Sequence, residues 1–114
     1  MTRALTFDGP RGPKRFELLY TALMSAGDGK GDRTAPTIRK EARLFDSLDE
    51  ISEVNPEAAP GNVDRRLTAP ASIEVSQEDH ELLVKYAETT PWAPRASREA
   101  VDLWDWLSAA ERRD

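Results

Sequence analysis

Apolar side chains change their spacing several times along the chain, and each change predicts an element. Leu5 and Phe7 alternate with polar neighbours in residues 3–7, "RALTF", and the run stops at Asp8-Gly9. That pattern predicts a short strand. From Pro13 the period lengthens. Phe16, Leu19, Tyr20, Leu23 and Met24 stand at i, i+3, i+4, i+7 and i+8, an apolar stripe that predicts a first helix ending at Gly27. "GDGKGD", residues 27–32, reads as a loop.

A second helix is predicted from about Thr34–Thr37 to about Ser52. Pro36 falls in its first turn, where the missing N–H costs nothing. Ile38, Phe45, Leu48 and Ile51, helped by Ala42 and Leu44, make the expected buried face. Residues 55–70 contain three prolines and no helical period, and read as a linker or extended crossing. In "SIEVS" Ile73 and Val75 alternate, so residues 72–75 can pair with residues 3–7.

Ser76 then caps a third helix, with Asp79 three residues on as an imperfect capping box. Leu82, Leu83, Tyr86 and Ala87 line its inner side, and Thr90 before Pro91 ends it. A last helix over about residues 94–112 carries Ala96, Ala100, Leu103, Leu107 and Ala110 along a narrow seam. Trp104 and Trp106 flank that seam, about 80° to either side of its centre.

The fold predicted from these elements is mainly α. About four helices form two helical pairs joined by a Pro-rich linker, with a minimal two-stranded β element from residues 3–7 and 72–75. The organisation is an N-terminal arm (1–12), a basic helical pair (13–54), the linker (55–70) and an acidic helical pair (71–114), with 13–114 as one compact domain. The arm holds few apolar side chains to offset its ordering entropy, so something must pin it. Its own Leu5 and Phe7 can do so, and so can a neighbour that takes Arg11 to Arg15.

Charge sharpens this picture. Net charge is −5, but residues 1–43 hold nine Lys/Arg against five Asp/Glu, and residues 44–114 hold seven against sixteen. Within the second helix, Arg39, Lys40 and Arg43 sit near the start and Asp46, Asp49, Glu50 and Glu53 near the end. This opposes the helix dipole by about 0.3–1 kcal/mol per exposed group. Two readings follow: the halves neutralise each other inside the fold, or the basic segment meets an acidic partner. The second is carried forward as the expectation.

Composition excludes some chemistry. The absence of cysteine rules out a disulfide framework and a thiolate metal site, which fits a reducing compartment. The start lacks the apolar core of a signal peptide, and no apolar run approaches a membrane span. The expected location is therefore cytoplasmic (host cytoplasm or virion for a phage-encoded chain), without membrane contact. His80 is the only histidine, and Asp79 and Glu81 point to other faces of its helix, so no catalytic residue is assigned. "GDGKGD" fails as a phosphate loop because Gly31 follows Lys30. It fails as a calcium loop because Lys30, Arg33 and Arg39 occupy the third, sixth and twelfth positions. No cofactor and no metal is expected.

The binding signal is the basic set Arg11, Lys14, Arg15, Lys30, Arg33, Arg39, Lys40 and Arg43, together with two tryptophans. The residues assigned to partner binding are Arg11, Lys14, Arg15, Arg39, Lys40, Arg43, Trp104 and Trp106. The function these predict is a non-enzymatic protein–protein interaction module, a subunit or adaptor of a larger intracellular assembly such as a bacteriophage structural or accessory protein. Its partner would be an acidic protein surface or another copy of the chain. The alternative is a small regulatory or inhibitory protein that binds nucleic acid or a nucleic-acid enzyme. Direct nucleic-acid binding ranks lower because the acidic half repels phosphates and no aromatics interleave the cations.

Overall fold

The computed structural model describes residues 1–25, 34–59 and 64–113. Its centre is strand β1 (Thr2–Phe7), flanked on one side by β4 (Ala71–Ser76) and on the other by β5 (Glu111–Arg113). Both neighbours run antiparallel to it, with Leu5 opposite Ile73, Arg3 opposite Val75 and Arg3 opposite Arg112. Alternation along the strands sends Arg3, Leu5, Phe7, Ile73 and Val75 to one buried face. Thr6, Ser72 and Glu74 remain exposed.

Four helices complete the body: α1 (Gly12–Met24), α2 (Ala35–Glu50), α3 (Gln77–Thr89) and α4 (Ser97–Ser108). Phe16, Leu19, Leu44, Leu48, Leu83, Leu103 and Leu107 join Leu5 and Phe7 in one continuous core. The segment read as an arm therefore holds the middle strand, and Leu5 and Phe7 are both 0% exposed. Residues 2–7 are pinned by their own molecule.

The turn from β1 into α1 explains two glycines. Gly9 has φ +65°, a conformation that side-chain-bearing residues rarely adopt. A Cβ on Gly12 would lie 3.1 Å from the backbone carbon of Phe7, so the first turn of α1 closes directly on the strand end.

A second antiparallel sheet pairs β2 (Ser52–Val54) with β3 (Arg65–Leu67), and β3 packs against α1. Arg65 fastens this ribbon to the end of α2. Its Nε lies 3.1 Å from Asp49 Oδ1, and its Nη2 donates to the carbonyls of Asp49 and Ser52.

The architecture is thus α+β, four helices with five strands in two antiparallel sheets among the described residues. This corrects the expectation of a mainly α fold with a minimal two-stranded element. Residues 3–7 and 72–75 do pair, but as two of three strands. The third comes from the end of the predicted last helix. A central strand buried in the body has backbone donors and acceptors on both edges, and β5 satisfies the edge that β4 leaves open. The ribbon β2–β3 begins where the second helix ends and finishes inside the predicted linker. Three-residue strands are too short to show a period of two.

Helix α2 also sits differently from its expected orientation. Its buried positions are Glu41, Leu44 and Leu48, whereas Ile38 is 47% exposed and Phe45 and Ile51 are half-buried. The burial of Glu41 accounts for the rotation: Tyr86 Oη donates to Glu41 Oε2 at 2.6 Å across the α2–α3 contact. The loop predicted at residues 27–32 lies outside the described residues. Among the described residues, no helix is long and apolar enough to cross a membrane.

Candidate functional site

The first turn of α1 carries Arg11, Lys14 and Arg15, and the first turns of α4 carry Arg98, Glu99 and Asp102. The two helices bring these six side chains around a cavity of about 280 Å³, with Leu18 in its wall. Asp102 is the electrostatic anchor. Arg15 Nε donates to its Oδ2 at 2.9 Å and Arg15 Nη2 to its Oδ1 at 3.0 Å, a bidentate pair. Arg11 Nη1 adds a bond to Oδ1 at 2.7 Å. The hydrogen bond from Arg15, then that from Arg11, holds the Asp102 carboxyl down at about 2 against a desolvation cost that acts the other way.

Aromatic packing fixes Arg15 from behind. Its guanidinium carbon lies 5.8 Å from the centroid of the Trp106 ring, within cation–π range. Trp106 in turn packs on Phe7 at 4.9 Å between centroids and donates its Nε1–H to Thr6 O. The far members of the cluster are looser. Lys14 is half-exposed and only 3.9 Å from Glu17, and among the described residues no ion pair engages Arg98. Around the cavity four cations therefore face two carboxylates.

The remaining predicted residues sit elsewhere. Arg43 Nη2 meets Asp79 Oδ1 at 2.9 Å, and Lys40 Nζ lies 3.6 Å from Glu78 Oε2. Arg39 is exposed without an ion pair among the described residues. Lys30 and Arg33 lie outside the described residues.

These contacts give the charge asymmetry a physical meaning. The pairs Arg11–Asp102, Arg15–Asp102, Lys40–Glu78 and Arg43–Asp79 each join the basic first segment to the acidic second one. Much of the segregated charge thus bolts the chain to itself. The α1–α4 cavity keeps a surplus of cations.

Trp104 also has an internal task. Its Nε1–H donates to Ala87 O at 2.9 Å, and Trp92 Nε1–H donates to the same oxygen at 2.8 Å. Ala87 lies in the last turn of α3, and the residue four positions on is Pro91, which has no N–H to offer. Two indoles replace the missing donor.

His80 is buried, and its Nε2 lies 2.7 Å from Leu107 O. A carbonyl only accepts, so Nε2 carries the hydrogen. Here the histidine braces the C-terminal turn of α4. Among the described residues, no group of three or more potential metal ligands is present.

The sequence reading did not pick out Arg98, Glu99 and Asp102. One signal was there: Arg98, Asp102 and Trp106 recur at intervals of four, one face of a helix that carries a cation, an anion and an aromatic. Comparison with protein-family models, with curated proteins and with solved structures finds no match, so the functional reading rests on this geometry.

Proposed function

We propose that the chain is a non-enzymatic protein–protein interaction module that takes an acidic segment of its partner into the cavity between α1 and α4. One observation carries this reading. Four cations surround two carboxylates there; Lys14 has only a long, exposed pair with Glu17 at 3.9 Å, and among the described residues no ion pair engages Arg98. Arg11, paired with Asp102, and Arg15, held by Asp102 and Trp106, form a positive wall beside them. A partner carboxylate entering between Lys14 and Arg98 would complete the pairing, with Leu18 offering an apolar contact. The docking surface is narrower than the sequence suggested, since Lys40 and Arg43 face the molecule's own acids.

The test uses the full chain and a short Glu/Asp-rich peptide, with a DNA oligonucleotide of equal charge as comparator. The peptide is expected to bind saturably and less tightly as salt rises. The double reversal Lys14→Glu with Arg98→Glu is expected to weaken it about tenfold or more, while Arg39→Glu leaves it unchanged. Absence of peptide binding at low salt defeats the reading. Tighter binding of the DNA would replace it with a nucleic-acid partner. Sedimentation at rising concentration then reports whether another copy can supply the acidic segment.

A further inference from the structure

A second site lies at the opposite end of α4, where Arg3, Gln77, His80, Glu81, Val84 and Ser108 line a cavity of about 330 Å³. Arg3 is only 9% exposed, yet the described residues that hold it are neutral: Nε donates to Gln77 Oε1 at 3.0 Å and Nη1 to Ala110 O at 2.9 Å. Among the described residues, no carboxylate forms an ion pair with it. A guanidinium so deeply placed is ordinarily matched by an anion, because its charge is costly to bury unpaired.

Two atoms point to what completes the site. Among the described residues Arg3 Nη2 and His80 Nδ1 find no hydrogen-bond partner, although both residues are more than nine-tenths buried. Among the described residues, no buried side-chain nitrogen or oxygen is sealed from solvent without a partner. Both atoms therefore reach solvent, and the cavity that both residues line is their opening. Arg3 Nη2 can only donate. In the neutral ring His80 Nδ1 bears a lone pair, because Nε2 carries the single ring hydrogen toward Leu107 O. The Ser108 hydroxyl on the rim can do either.

We infer that this cavity binds a small oxyanion that still carries a proton, a hydrogen phosphate or a phosphate monoester. Its charged oxygens pair with Arg3, and its P–OH donates to His80 Nδ1. A fully deprotonated oxyanion has nothing to give that nitrogen. Glu81, whose Oε1 accepts from Gln77 Nε2 at 3.2 Å, holds the amide oxygen of Gln77 toward Arg3 and sets an opposing charge at the rim.

Because His80 is the only histidine, its ring signals report on the cavity without ambiguity. The full chain is titrated with inorganic phosphate, methyl phosphate, sulfate and acetate at constant ionic strength, and the His80 ring is followed by NMR. Saturable shifts with both phosphates, and about tenfold weaker binding of sulfate and acetate, are expected from the one hydrogen bond they cannot make. Saturation by inorganic phosphate without methyl phosphate assigns the site to the free ion; saturation by both assigns it to the phosphoryl group. Ser108→Ala and Glu81→Gln both alter exposed positions. The first should weaken and the second strengthen phosphate binding, each by about threefold. Linear shifts without saturation, or sulfate binding as tightly as phosphate, overturn the assignment.

Discussion

Arg15 grips Asp102 through two parallel hydrogen bonds, and by that contact the first helix of the chain is fastened to the last. The carboxylate is held down at about 2 against an ordinary 3.8, chiefly by Arg15 and then by Arg11. A depressed carboxyl stabilises the fold above its unfolded value, and that contribution disappears as pH falls through the folded value.

Asp102→Asn should therefore cost about 1–2 kcal/mol at neutral pH, less than the whole shift implies because solvent reaches Arg11. Urea midpoints measured from neutral pH down to about 2 should show the wild-type advantage shrinking between about 3.8 and about 2. A gap between wild type and variant that stays constant through that window would show that the ion pair is not its source.

Trp92 and Trp104 share one acceptor, and this predicts a specific non-additivity. Replacing either with Phe leaves Ala87 O with one indole donor, so each single change should cost less than about 1 kcal/mol in hydrogen bonding. The double variant leaves the carbonyl with neither indole and should lose about 1 kcal/mol more than the sum. Additive losses in thermal or denaturant unfolding would mean that the indoles serve only as packing.

Tyr20 supplies the alkaline counterpart. Burial first, and then the hydrogen bond to Asp49 at 2.9 Å, pushes its phenol up to about 12 from 10.0. A folded value above the unfolded one gives stability that is complete below about 10 and is lost as pH rises through about 12. Tyr20→Phe should cost about 1 kcal/mol near neutrality and make unfolding less steeply dependent on pH in that window. An identical alkaline slope in the variant would place the sensitivity elsewhere.

What the sequence disclosed depended on the length of the pattern. The stripe from Phe16 to Leu23 and the Ser76 cap, which accepts from Asp79 N at 3.1 Å, were readable because each rests on local chemistry, whereas Met24, read into the same stripe, is 50% exposed. The pairing of Leu5 with Ile73 was readable from two short alternations. Strand β5 was not, since "ERR" has no apolar position and pairs only because β1 presents an open edge. The candidate site was half legible. Arg11, Lys14 and Arg15 stood out as a cluster, but Asp102 entered only when the fold brought together residues 87 positions apart. Segregated charge in the sequence looked like a handle for something else, and the fold pairs Arg11, Arg15, Lys40 and Arg43 with the molecule's own acids.

Helix α2 tests the same lesson quantitatively. By sequence its inner face centres on Ile38, Phe45, Leu48 and Ile51, but Ile38 is nearly half-exposed while Leu44 is 1% exposed. Leu44→Ala should therefore cost about 2–5 kcal/mol, as the emptied volume lies in a close-packed core. Ile38→Ala should stay within about 0.5–1 kcal/mol. Glu41 explains why the helix accepts this rotation. With Tyr86 Oη 2.6 Å from its carboxylate, a charged residue occupies the position an apolar one would be expected to fill. Tyr86→Phe removes that donor from a buried anion and should cost about 1–3 kcal/mol, more than an ordinary neutral hydrogen bond. Equal losses for Ile38→Ala and Leu44→Ala in denaturant unfolding would show α2 turned the other way, toward the face its hydrophobic period prescribes.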